Sequence, residues 1–105
     1  MKIDINGIEW GINFVSHSNE HLLNANGFCS YEENNIYIAR DIKESKMRKV
    51  IIHELTHAVE YSHGLRDRVS DDKYEDLANF LMFYGDLIIN ITDDIMSRIN
   101  VEDRS

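Results

Sequence analysis

His53 and His57 stand four residues apart in the run Val50-Ile51-Ile52-His53-Glu54-Leu55-Thr56-His57-Ala58-Val59, and Glu54 directly follows the first of them. On a helix of 3.6 residues per turn this spacing rotates the second side chain only about 40° from the first, so both imidazoles can reach one ion. Neutral imidazole is a favoured zinc ligand, and a catalytic zinc keeps one position open beside three protein ligands. Glu54 falls next to that open position, where a carboxylate can take a proton from the water that attacks a carbonyl carbon. The chemistry on offer is hydrolysis of an amide bond.

H-E-x-x-H is a short pattern, and its flanks decide its weight. The longer zinc-peptidase pattern has a small or β-branched residue three before the first His, uncharged neighbours, and an apolar residue two after the second His. Val50, Ile51, Ile52, Leu55, Thr56, Ala58 and Val59 satisfy every one of those positions. A dry wall of this kind strengthens electrostatic stabilisation of charge developing in a transition state. The competing reading is an amphipathic helix whose two histidines merely face solvent.

A third ligand must come from elsewhere. His63 holds the third-His position of the pattern H-E-x-x-H-x-x-G-x-x-H, but Glu60 stands where that pattern turns on a glycine. If the helix continues to Tyr61 or beyond, His63 points roughly 80° from His53 and about 120° from His57, and is expected instead to favour the helix dipole. Glu75, in the run Glu75-Asp76-Leu77-Ala78-Asn79-Phe80, is the favoured candidate. In the opening turns of a second, antiparallel helix its carboxylate can face the His pair, although it could instead close a capping box with Asp72. Asp67, Asp71 and Asp72 are further candidates, and Glu60 is a less natural one. A donor for the oxyanion is expected, with Tyr61, Tyr31, Tyr37, His17 and His21 all eligible.

The elements that must position these residues change character once along the chain. Lys2 to Ile5 and Ile8 to Val15 alternate with period two around Asn6-Gly7, a pair suited to a type I′ hairpin turn. Ser16 to Gly27 reads as a short helix followed by a turn. Phe28 to Tyr31 and Ile36 to Ala39 read as a second strand pair. After Ala39 the period is helical. Asp41 with Glu44 makes a capping box, or Ser45 caps, and Met47, Ile51, Leu55, Val59 and Ser62 form the stripe that packs on the sheet. Gly64 stops that helix, and Leu65 to Ser70 is a charged loop. A second helix begins near Asp71 or Asp72, with Tyr74, Leu77, Leu81, Tyr84, Ile88, Ile91, Ile95 and Ile99 on its apolar face. It is either one long helix or two, broken near Thr92-Asp93-Asp94, where Thr92 could cap a new one. The fold class is α+β: a small antiparallel or mixed sheet from residues 2–39, packed on the H-E-x-x-H helix and a C-terminal helix or helix pair.

The 105 residues, 43% hydrophobic and 29% charged, are those of one globular domain spanning 1–105. No apolar run is long enough for a membrane span, the N-terminus has no signal-peptide core, and a lone Cys29 suits a reducing compartment, so a cytoplasmic protein is expected. A formal net charge of −8 argues against direct nucleic-acid binding and would suit a basic partner, though solubility alone explains it. Heavy use of isoleucine and asparagine without proline points to an AT-rich genome.

His53-Glu54-Leu55-Thr56-His57, followed by Glu75-x-x-Ala78-Asn79, resembles the ImmA/IrrE group of metallopeptidases, in which H-E-x-x-H lies on one helix and a glutamate ligand in an E-x-x-A-N run on the next. The resemblance covers roughly Val50 to Leu81 and looks closest to small phage and mobile-element members. The loop before Glu75 is shorter than in larger members, and their helix-turn-helix or sensor segments are absent. SprT-like proteins, which usually offer a further His, are the second resemblance. The first implies a minimal zincin-like fold, one Zn²⁺ held by His53, His57 and Glu75, Glu54 as general base, and a protein substrate, in several members a DNA-binding repressor. The alternative function is a zinc-stabilised binding protein that sequesters a partner without turnover.

Overall fold

The computed structural model describes residues 1–65 and 73–103. Four strands come first, β1 (Lys2–Ile5), β2 (Ile8–Val15), β3 (Gly27–Ser30) and β4 (Asn35–Ala39), followed by α1 (Glu44–Ser62) and α2 (Lys73–Asp103). The architecture is α+β, with one mixed sheet in the order β1-β2-β4-β3.

Asn6 and Gly7 link β1 to β2 with φ of 52° and 83°, the paired positive values a type I′ turn requires. β2 pairs in parallel with β4, and β4 antiparallel with β3. β4 is therefore an inner strand, buried from Ile36 to Ala39, and β3 forms the edge beside it, with β1 at the opposite edge. Between β2 and β3 the chain makes turns where a short helix was expected. The side chain of Asn19 accepts a hydrogen bond from the His21 amide at 2.9 Å, and Leu23 and Asn24 take φ of 49° and 71°. Asn19 opens a single turn, its carbonyl accepting from the Leu22 and Leu23 amides, and the left-handed Leu23 and Asn24 end it at once.

α1 buries Met47, Ile51, Leu55, Val59 and Ser62, the expected stripe, and adds Glu54 and Ala58. That face shares one core with Ile5, Trp10, Ile12, Ile36 and Ile38 of the sheet. Ile51, Leu55 and Val59 are almost wholly buried, and such burial is worth roughly 1.5–3 kcal/mol for each side chain. The expected capping box does not form: the N-cap is Lys43, with no side-chain cap. Asp41 turns instead to His17, its Oδ1 2.8 Å from Nδ1, and Ser45 lies within the helix. At the other end Gly64 has φ +67°, Leu65 N donates to Glu60 O at 2.9 Å and Gly64 N to Tyr61 O at 3.1 Å. This paired closure of the last carbonyls is a Schellman motif, as the glycine signalled.

α2 is continuous through Thr92, whose hydroxyl donates to Ile88 O at 2.8 Å within the helix rather than capping a new one. The rings of His63 and Tyr84 lie 4.6 Å apart and Arg48 bonds Asp93 at 2.6 Å, so α2 runs antiparallel to α1. Ile88, Thr92, Ile95 and Met96 are buried, but Leu77 and Leu81, expected on the same face, are 57% and 58% exposed. A groove of about 530 Å³ separates Thr56 and Glu60 of α1 from Asp76, Phe80 and Phe83 of α2. Leu77 lines this groove, while Phe80 and Tyr84 of the same helix pack against the core. Among the described residues no helix is long and apolar enough to cross a membrane.

Candidate metal centre

α1 carries the chemistry. Its helical repeat brings His53 Nε2 within 3.3 Å of His57 Nε2, with the rings nearly perpendicular. Two ligands at the roughly 2.0–2.1 Å bond length of a tetrahedral zinc ion stand about 3.3–3.4 Å from each other, so the pair sits at ligand spacing. A hydrogen bond between the two ring nitrogens keeps them converged.

Glu54 lies about 100° around the helix from His53 and points under the sheet edge. Its side chain is 9% exposed against 69% for His53, and its Oε1 is 4.0 Å from His53 Nε2. The carboxylate thus approaches the pair from inside. Burial pushes the Glu54 carboxyl above its ordinary value of 4.5, opposed by the charge that His53 and His57 carry when protonated. A more basic carboxylate is a better proton acceptor near neutral pH.

Gly27, the first residue of β3, makes the room for that side chain. A Cβ there would meet Glu54 Cγ at 3.0 Å, Glu54 Oε1 at 3.2 Å and Val50 Cγ1 at 2.7 Å. The C-terminal end of α1 is clamped to the first hairpin: Trp10 Nε1 donates to Ser62 Oγ at 2.9 Å and Asn6 Nδ2 to Ser62 O at 3.0 Å. Tyr61, one turn beyond His57, packs edge-on against Trp10 and stacks on Tyr31 at 5.0 Å.

Of the candidates for the oxyanion donor, three are engaged elsewhere. The Tyr37 hydroxyl donates to Glu33 at 3.0 Å, His21 stacks on the Tyr37 ring, and His17 is held between Asp41 and Asn26. Tyr61 and Tyr31 share the end of α1 that follows His57. His63 caps α1 with its ring against Tyr84, so it faces α2. Glu75 lies exposed in the first turn of α2. Among the described residues no three His, Cys, Asp or Glu side chains are grouped to hold a metal ion, so the fold brings together His53, His57 and Glu54 but not a third ligand. Asp67, Asp71 and Asp72 lie outside the described residues.

Beside Glu54 and His53 runs a groove of about 340 Å³ bounded by Asn26 and Gly27 at the start of β3 and by Lys46, Lys49 and Val50 on α1. Sequence reasoning missed Gly27 and both lysines. Gly27 read as the end of a polar turn. The lysines were legible in principle, since positions four and seven before His53 share its helix face.

No curated protein matches the chain. No solved structure matches it either. Residues 15–85, from the end of β2 into the middle of α2, match the sequence model of the family described as "Putative metallopeptidase family (DUF6782)". The matched span contains His53, Glu54, His57, Glu75 and the edge strand. With about two thirds of its length inside that match, the chain belongs to this metallopeptidase family.

Proposed function

We propose that the protein is a zinc-dependent endopeptidase of zincin type that hydrolyses a peptide bond of a protein substrate. The observation that carries this reading is the 3.3 Å separation of His53 Nε2 and His57 Nε2 beside a buried carboxylate. His53 and His57 would hold the ion, and Glu75 is proposed as the third ligand on the strength of the Glu75-x-x-Ala78-Asn79 run and its resemblance to ImmA/IrrE proteins. When bound, zinc acts as a Lewis acid that polarises the scissile carbonyl and makes water acidic enough to attack at neutral pH.

The chain's own residues do the rest. Glu54 accepts the proton of the attacking water and delivers it to the departing amide nitrogen, so one carboxylate serves as base and then as acid. Its confinement between α1 and β3 holds it in place without a conformational search. Tyr61, on α1 one turn beyond His57, is the proposed donor to the oxyanion. The backbone of β3 lies at the sheet edge next to Glu54, and an extended substrate can add to it as a further strand. A regulatory DNA-binding protein in the cytoplasm of a bacterial or phage-infected cell is the proposed substrate class.

Elemental analysis of protein purified without added metal tests the reading. About one zinc per chain is expected. Protein that is metal-free and also refuses added zinc would contradict it.

A further inference from the structure

The groove beside Glu54 gathers positive charge in an otherwise acidic chain. The protein has a formal net charge of −8, yet Lys46 and Lys49 stand on one wall of this groove, exposed and facing the start of the edge strand. Neither lysine has an ion-pair partner among the described residues, whereas Lys2, Arg48 and Arg98 each pair with a carboxylate. Asp41, the carboxylate tied to His17 at 2.8 Å, is already matched, although its partner His17 feels the charge of Lys46. Glu54, the remaining acid on the wall, is turned toward the His pair and 9% exposed. Two unmatched ammonium groups beside the proposed reacting carboxylate leave a local positive field in an acidic protein.

From this charge complementarity we infer that Lys46 and Lys49 form a specificity subsite for an acidic side chain of the substrate, an Asp or Glu near the bond to be cut. The inference rests on the peptidase reading and deepens it. A groove of about 340 Å³ is large enough for one such side chain. Position follows from topology: β3 runs from Gly27, beside Val50 and Glu54, toward Tyr31, which stacks on Tyr61 near the end of α1. A substrate strand antiparallel to β3 therefore carries its acidic residue on the C-terminal side of the scissile bond. Exposed ion pairs contribute modestly, so two lysines should select an acid over a neutral residue by roughly three- to tenfold. Salt should weaken the preference, because exposed charges are screened.

The test pairs binding with cleavage. A pool of random peptides is captured on Glu54→Gln protein loaded with zinc and sequenced, and the same pool is digested by the wild type. Both are repeated with Lys46→Glu and Lys49→Glu combined. Acidic residues should be enriched in captured and cleaved peptides, and the double charge reversal should erase or invert the enrichment. Capture without acidic enrichment, an enrichment that survives the reversal, or no capture at all overturns the subsite. Cleavage of peptides without acidic preference refutes the subsite and leaves the peptidase reading intact. Acid-selective capture with no cleavage by the wild type supports the subsite and refutes the peptidase reading.

Discussion

The backbone of Gly27 stands so close to Glu54 that a Cβ on the glycine would approach the carboxylate-bearing side chain to 3.0 Å and the rigid Val50 to 2.7 Å. The edge strand and the reactive helix therefore depend on a missing side chain. Gly27→Ala should cost about 1–3 kcal/mol of stability through overpacking. Displacement of Glu54 by as little as 1 Å should lower cleavage by about 10²-fold. Urea unfolding and the turnover rate of the folded variant measure the two effects separately.

The third ligand is open to a direct comparison. Glu75→Ala should weaken zinc binding strongly by removing an anionic donor, as should His53→Ala and His57→Ala. His63→Ala should leave zinc affinity nearly unchanged, because that ring packs 4.6 Å from Tyr84. It should instead cost some thermal stability. Zinc titration against a competing chelator checks all four, and the reverse ranking of Glu75 and His63 would move the ligand to the end of α1.

Trp10 and Ser62 join the first hairpin to the end of α1 through a buried hydrogen bond of 2.9 Å. Ser62→Ala leaves the indole N–H without its partner and should cost about 1–3 kcal/mol. The chain has a single tryptophan, so denaturation followed by its fluorescence reports the loss directly.

Stability should also depend on pH through the contact between His17 and Asp41. Hydrogen bonds donated by His17 to the Asn26 and Asp41 side-chain oxygens hold its imidazole above its ordinary 6.5, and His17 holds Asp41 below its ordinary 3.8. The raised histidine contributes fully below pH 6.5 and loses its contribution as pH climbs through its folded value. The depressed aspartate contributes above 3.8 and loses its share as pH falls through its own folded value. The melting-temperature gap between wild type and Asp41→Asn should therefore be widest near about pH 5 and shrink toward about pH 9.

Local chemistry decided which parts of this architecture were legible in advance. The Asn6-Gly7 turn, the two strand pairs, the buried stripe of α1 and the Gly64 stop follow from side-chain period and backbone preference, which act over a few residues. The segment after β2 does open a turn at Asn19, but Leu23 and Asn24 take left-handed backbone and end it, which side-chain pattern alone does not signal at Leu23. Thr92 looked like a cap, but burial returned its hydroxyl to Ile88 within the helix. Leu77 and Leu81 keep the helical period of a core face, yet nothing among the described residues buries them, and periodicity cannot report what lies opposite. In the site, the spacing of His53 and His57 was readable from the helix alone. Gly27 was not, because its role exists only where β3 crosses α1.

The central claim is that Glu54 moves protons, and Glu54→Gln tests it most directly. The amide preserves the size of the side chain and leaves His53, His57 and Glu75 in place, so zinc content and folding should match the wild type. Because the amide cannot accept the water's proton, cleavage of a peptide or partner protein should fall by at least about 10²–10⁴-fold. A variant that retains zinc and cuts its substrate at the wild-type rate would contradict the account. One that retains zinc, cuts nothing and still performs the protein's biological role would also contradict it, by showing that the protein acts through binding.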